Sequence, residues 1–137
     1  MNKLAVIYWS GTGNTEAMAK AVLKGAGVGA TLFGVSDFDV SKVTAFDAFA
    51  LGCPAMGNEA LEDGEFEPFF DEIKDKLAGK KVALFGSYGW GDGEWMRSWE
   101  DACADAGITL GAESVICNDA PDDEALEACK ALGAALV

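Results

Sequence analysis

The sequence predicts an open α/β sandwich in which a five-stranded parallel sheet is covered by helices on both faces. Two observations carry that expectation. Short apolar runs alternate with amphipathic helical segments along all 137 residues, and no repeat or low-complexity linker interrupts them. Several of the runs also end in loops rich in glycine, where a parallel strand hands over to its crossover. Right-handed crossovers then limit the topology. One domain spanning residues 1–137 is expected, because a hydrophobic fraction of 50% fills such a core without disulfides or metals.

Taken in order, Leu4 to Tyr8 is nearly continuous in apolar residues, as a strand covered on both faces should be. Residues 14 to 26 carry Ala17, Met18, Ala21 and Val22 at helical spacing, with Gly25 and Gly27 read as the stop. Ala30 to Val35 and Ala48 to Cys53 are the second and third strands. Phe66, Phe69, Phe70, Ile73 and Leu77 form a helical stripe with Pro68 near its start and Gly79 as its stop. Lys81 to Gly86 is the fourth strand. Trp95, Trp99, Cys103 and Ala106 mark the next helix, closed by Gly107. Ser114 to Cys117 is the fifth strand, and Pro121-Asp122 opens a last helix carrying Leu126, Cys129, Leu132 and Leu136.

Composition removes several functions. Ten basic residues against 23 acidic ones give a net charge of −13, which repels nucleic acid and anionic membranes. With no histidine, Ser-His and Cys-His pairs and imidazole metal sites are excluded, and no metal is expected. Cys53, Cys103, Cys117 and Cys129 include no C-x-x-C pair, and three of them read as small buried hydrophobes. The first residues run straight into a strand, with no signal peptide or membrane-length apolar run, so a cytoplasmic setting is expected.

In sheets of this kind ligands bind beyond the carboxyl ends of the strands, so the loops there carry the functional reading. Ser10-Gly11-Thr12-Gly13-Asn14-Thr15 joins the first strand to the first helix. Its glycines let the backbone curl so that N–H groups converge, the helix dipole favours an anion, and the hydroxyls and the Asn14 amide complete a cage of neutral donors. The nucleoside-triphosphate loop needs Gly-Lys before its hydroxyl, and here Glu16 follows Thr15. The dinucleotide pattern G-x-G-x-x-G meets Glu16 where its third glycine belongs. A terminal phosphate monoester is the anion left.

Tyr8 to Glu16 (Tyr-Trp-Ser-Gly-Thr-Gly-Asn-Thr-Glu) resembles the FMN phosphate loop of flavodoxins. Leu-Gly-Cys-Pro-Ala-Met-Gly at 51–57 and Leu-Phe-Gly-Ser-Tyr-Gly-Trp-Gly-Asp-Gly at 84–93 match the same family, each after its own strand. The resemblance covers the whole chain and lacks the loop that splits the last strand of long-chain members, so it points to the short-chain branch. The strand order 2-1-3-4-5 is the one that family has, and the resemblance, rather than the pattern of apolar runs, implies it.

The second loop is Pro54-Ala55-Met56-Gly57-Asn58-Glu59. Met56 is flexible and polarizable, suited to covering a ring face, and Gly57-Asn58 is a turn in which a peptide can reverse. The resemblance implies that the Gly57 carbonyl flips to accept from flavin N5–H and stabilises the neutral semiquinone, and that Glu59 accepts from N3–H. Pro54 stands where many relatives offer a hydroxyl, and Asn58 where many carry Asp. In the third loop, Ser87, Tyr88, Gly89, Trp90 and Gly91, Trp90 is expected on the other ring face. Trp9 shields the phosphate loop, Trp95 and Trp99 are core, and either Asn118 or Asp119 meets the ribityl chain.

The function implied is a low-potential one-electron carrier with one non-covalent FMN, cycling between semiquinone and hydroquinone. Glu59, Glu62, Asp63, Glu65, Glu67, Asp92 and Glu94 should ring the exposed flavin edge, disfavour the anionic hydroquinone, and steer basic-surfaced redox enzymes such as ferredoxin-type oxidoreductases and reductases. The carrier is expected to be a monomer with transient contacts. An FMN-dependent quinone or nitro reductase would need a nicotinamide site that no segment supplies. A signalling receiver would need acids where Ser10-Gly11 and Cys53-Pro54 stand, and a cofactor-free adaptor would not need the phosphate loop.

Overall fold

The computed structural model describes residues 3–56, 60–89 and 91–137. Five parallel strands, β1 (Leu4–Tyr8), β2 (Ala30–Gly34), β3 (Ala48–Gly52), β4 (Lys81–Tyr88) and β5 (Val115–Asn118), form one sheet in the order β2-β1-β3-β4-β5, as the resemblance implies. Four helices surround it: α1 (Asn14–Ala26), α2 (Phe66–Ile73), α3 (Glu94–Asp105) and α4 (Asp123–Leu136).

Strand alternation sends successive side chains to opposite faces. Leu4 and Val6 of β1 join Met18 and Val22 of α1 and Cys129 and Leu132 of α4, while Ala5 and Ile7 join Phe66 and Phe70 of α2 and Trp95 and Trp99 of α3. Both cores are closed, which explains why β1 and β3 read as unbroken apolar runs. Asp122 caps α4 through its carboxylate, which accepts from the Ala125 N–H at 2.8 Å.

Apart from shifts of one residue at the ends of β2, β3 and β5 and a 3-10 turn at 74–76 that ends α2 before Leu77, three features differ from the sequence expectation. The crossover from β2 to β3 contains no α-helix; short 3-10 turns at 35–37 and 40–45 carry it. Aromatic rings do the covering there: Phe38 meets Phe33 edge-on at 5.1 Å and Phe69 at 6.1 Å. β4 runs to Tyr88, two residues beyond Gly86, because β5 goes on pairing with it through Ser87↔Cys117 and Tyr88↔Asn118.

Gly25 does not stop α1, which continues to Ala26 and ends at Gly27, φ 82°. Its role is contact: a Cβ on Gly25 would sit on the Lys130 carbonyl of α4, and one on Gly133 would sit on the Val22 carbonyl of α1. The two helices cross backbone to backbone. Gly133→Ala is therefore expected to force them apart and lower stability by about 1–3 kcal/mol, read as a lower urea midpoint.

The cysteines behave as their neighbours in the sequence imply. Cys53, Cys103 and Cys129 are buried and Cys117 half-buried, all as free thiols. Burial pushes Cys53 and Cys129 up to about 12, and Cys103 and Cys117 up to about 11, so all four stay protonated near neutrality. Among the described residues, no helix is long and apolar enough to cross a membrane.

Candidate functional site

The loops beyond β1, β3 and β4, with the first residue past β5, enclose a cleft of about 210 Å³ at the carboxyl edge of the sheet. Gly11, Thr12 and Asn14 line one side, Pro54, Ala55 and Met56 a second, and Ser87, Tyr88, Gly89 and Asp119 a third, with Trp9 at the margin. A larger hollow of about 690 Å³ lies between β5 and the alanines of α4, away from the first two loops.

The first loop is built around Ser10. Its Oγ accepts from the Gly13 N–H at 3.0 Å and the Glu16 N–H at 3.3 Å, which leaves its own O–H free to donate outward. Gly13, at φ 95°, turns the chain into α1. The first N–H groups of a helix lack intrahelical partners. Here the Asn14 N–H has only a long contact to Thr12 Oγ1 at 3.5 Å, and the Thr15 N–H has no acceptor among the described residues. Thr15 is buried, its hydroxyl shared with Ser87 Oγ at 3.3 Å across the cleft floor.

Trp9 lies over the loop, close enough that a Cβ on Gly11 would come 3.1 Å from its ring. Among the described residues no Lys or Arg lines the cleft, and Lys20 is paired with Glu16 at 3.5 Å. The cage is thus neutral donors at a positive helix end.

The second loop is tied to the sheet. Ala55 donates to the Ser87 carbonyl at 3.0 Å, continuing the β3–β4 ladder past the end of β3. Met56 and Ala60 exchange N–H···O bonds of 2.8 and 3.1 Å. Met56 is 38% exposed at the cleft mouth, so it is not a core filler. Gly57, Asn58 and Glu59, and Trp90 of the third loop, lie outside the described residues.

Behind this loop Trp95, 1% exposed, donates its indole N–H to the Cys53 carbonyl at 3.1 Å, and Tyr88 packs on its ring at 5.5 Å. Trp99 is buried as well. Both tryptophans are core, as their helical spacing implied.

The acidic ring is divided. Glu62 faces α2: its carboxylate accepts from the N–H groups of Gly64, Glu65 and Phe66 at 2.8, 2.8 and 2.9 Å. Burial works to raise its pKa, but these three bonds outweigh it and hold the carboxyl below the ordinary range. Its role is to cap a helix, and the signal was a carboxylate just ahead of the stripe that begins at Phe66. Asp92 pairs with Arg97 at 3.0 Å, and Glu65 accepts from the Trp9 indole at 3.3 Å. Asp63, Glu67 and Glu94 are exposed.

Beyond β5 the two candidates separate. Asp119 lines the cleft, at φ 57°, with its N–H on the Tyr88 carbonyl at 2.7 Å. Left-handed backbone costs about 1–2 kcal/mol for most residues and is best tolerated by Asn and Asp. Asn118 instead turns its amide to the carbonyls of Tyr88 and Gly89, each at 3.3 Å.

Comparison with known proteins places this geometry among others. Residues 6–133 match the family model described as Flavodoxin. A flavodoxin from Megasphaera elsdenii is 49% identical over 133 residues, 95% of either chain. One from Clostridium beijerinckii is 47% identical over 123 residues, 88% of this chain and 89% of that one. The solution structure of two-electron reduced Megasphaera elsdenii flavodoxin superposes with a TM-score of 0.88 at 47% identity, covering 97% of both chains.

Proposed function

The chain belongs to the flavodoxin family, and from that premise we propose that its cleft holds FMN with the phosphate in the Ser10–Thr15 cage and the ring between the second and third loops. It is an FMN-binding electron carrier and not an enzyme, as a member of the family to which those flavodoxins belong. We take residues 1–137 as one such domain. FMN, when bound, supplies two separable one-electron steps.

The observation that carries the placement is the cage itself: among the described residues the Thr15 N–H and the Ser10 O–H stand without acceptors at the α1 N-terminus, where an anion's oxygens would satisfy them. The other residues bind and orient. Trp9 and Gly11 screen the phosphate from water. The Thr15–Ser87 hydroxyl pair and Asp119 face the polar chain between phosphate and ring, while Met56 and Tyr88 offer apolar walls. Gly57, Asn58, Glu59, Trp90 and Gly91 are assigned to the ring on the sequence reading. A 210 Å³ cleft is smaller than the roughly 300–1,000 Å³ that encloses a drug-sized ligand, which favours an exposed ring edge for transfer. FMN should bind far more tightly than riboflavin, which lacks the phosphate; equal affinities in a fluorescence titration would remove the cage from this account.

The carrier passes electrons to redox partners. We propose that those partners present basic surfaces, that contact is transient and the protein a monomer, and that it works in the reducing cytoplasm, where its free thiols persist. The exposed acids support this. Oxidation of the reduced protein by a small cationic metal complex should slow as salt rises, and oxidation by an anionic complex should quicken. Stopped-flow traces at several ionic strengths check both signs.

A further inference from the structure

Asn118 is at the end of the β4–β5 ladder, opposite Tyr88. At Asp119 the backbone swings into the left-handed region and the ladder stops, its last backbone bond being Asp119 N–H to the Tyr88 carbonyl at 2.7 Å. The Asn118 side chain extends this hold by one residue. Its Nδ2 reaches the Tyr88 carbonyl and the Gly89 carbonyl, both at 3.3 Å. Gly89 begins the third loop, and Gly91 and Gly93 further along have φ of 91° and 90°. Glycines leave such a loop little intrinsic preference for one path, so its direction has to be imposed from where it leaves the sheet.

We propose that Asn118 is a positioning residue, a clamp that replaces the missing rung of the sheet and sets the direction in which Gly89 leaves it at the cleft, and that it does not act by touching the cofactor. The proposal rests on the placement of FMN given above. Tyr88, Gly89 and Asp119 all line the cleft, while Asn118 does not, and the Asp119 carboxylate lies 3.7 Å from where a Gly89 Cβ would be. Both acceptors of the Asn118 amide are backbone carbonyls, so the clamp acts on the chain path and is indifferent to what fills the cleft.

The test compares the wild-type chain with Asn118→Asp, which keeps the shape but loses the amide donors, and Asn118→Ala, with and without FMN. Amide exchange at Asp119, whose N–H is held on the Tyr88 carbonyl beside the clamp, is expected to quicken at least tenfold in both variants in both states. Val6 and Leu51 serve as controls and should not change, and the FMN dissociation constant should rise about tenfold. Should Asn118→Asp fail to fold, Asn118→Ala alone decides. Faster exchange confined to the FMN-free variants with affinity unchanged would overturn the clamp's bearing on the site. Weaker FMN binding with exchange unchanged in the FMN-free chain would make Asn118 a direct cofactor contact, which overturns the proposal. No change in either quantity overturns it as well. Failure of the wild-type chain to bind FMN would instead strike the placement of the cofactor, and the exchange comparison would still judge the clamp.

Discussion

Thr12→Asp is expected to weaken FMN binding at least a thousandfold while leaving riboflavin binding within a few-fold of wild type. Thr12 is exposed at the cage, and its hydroxyl takes a long contact from the Asn14 N–H at 3.5 Å. With the phosphate in the proposed cage, a carboxylate there faces it. Two unit charges about 4 Å apart near a protein surface repel by about 4 kcal/mol, a factor of roughly a thousand, and a phosphate monoester carries about −1.5 to −2. The fold should not suffer, because a carboxylate beside the α1 N-terminus is favourable by about 0.3–1 kcal/mol. Affinity and stability thus move in opposite directions. An equal loss for both flavins would move the phosphate elsewhere.

Gly86→Val is expected to be the most damaging single change to the site's frame. A Cβ at Gly86 would sit on the Cys53 carbonyl oxygen and come 3.1 Å from the Trp95 indole. Neither can yield cheaply, because Cys53 is fully buried and its carbonyl takes the Trp95 N–H at 3.1 Å. Overpacking costs about 1–3 kcal/mol. A buried N–H stripped of its partner costs about 1–3 kcal/mol more. Against a total stability of about 5–15 kcal/mol, the urea midpoint should fall steeply. FMN affinity should fall with it, since Pro54 to Met56 follow directly on Cys53. A stability loss below about 1 kcal/mol with affinity retained would show that the second loop does not depend on this packing.

What the sequence disclosed was whatever is local. β1 was legible to the residue, because nearly every one of its side chains is covered and the apolar run is the strand. The Ser10–Thr15 loop was legible as a turn into a helix start because glycine and hydroxyl spacing there is a local property. Trp95 and Trp99 were legible through the period of α3.

The rest depends on partners distant in sequence. Gly25 reads as a helix stop until Lys130 is seen against it. Glu62 reads as one more surface acid until the turn brings three N–H groups onto its carboxylate. The amide of Asn118 is equally able to meet a ribityl hydroxyl or a carbonyl, and its bond to the Tyr88 carbonyl depends on a residue 30 positions earlier in the chain. The covering of β2 by phenylalanines in place of a helix follows from rings brought together by the fold, Phe33, Phe38, Phe46 and Phe69, and no periodic stripe announces it.

The most direct test of the carrier assignment is an anaerobic reductive titration of the purified chain, followed through its visible spectrum. One FMN per chain is expected to take up its two electrons in two resolved steps, with a long-wavelength absorbance that rises through the first and falls through the second, and with no direct oxidation of NAD(P)H. Bleaching in a single two-electron step, coupled to direct NAD(P)H oxidation, would contradict that assignment in favour of a reductase.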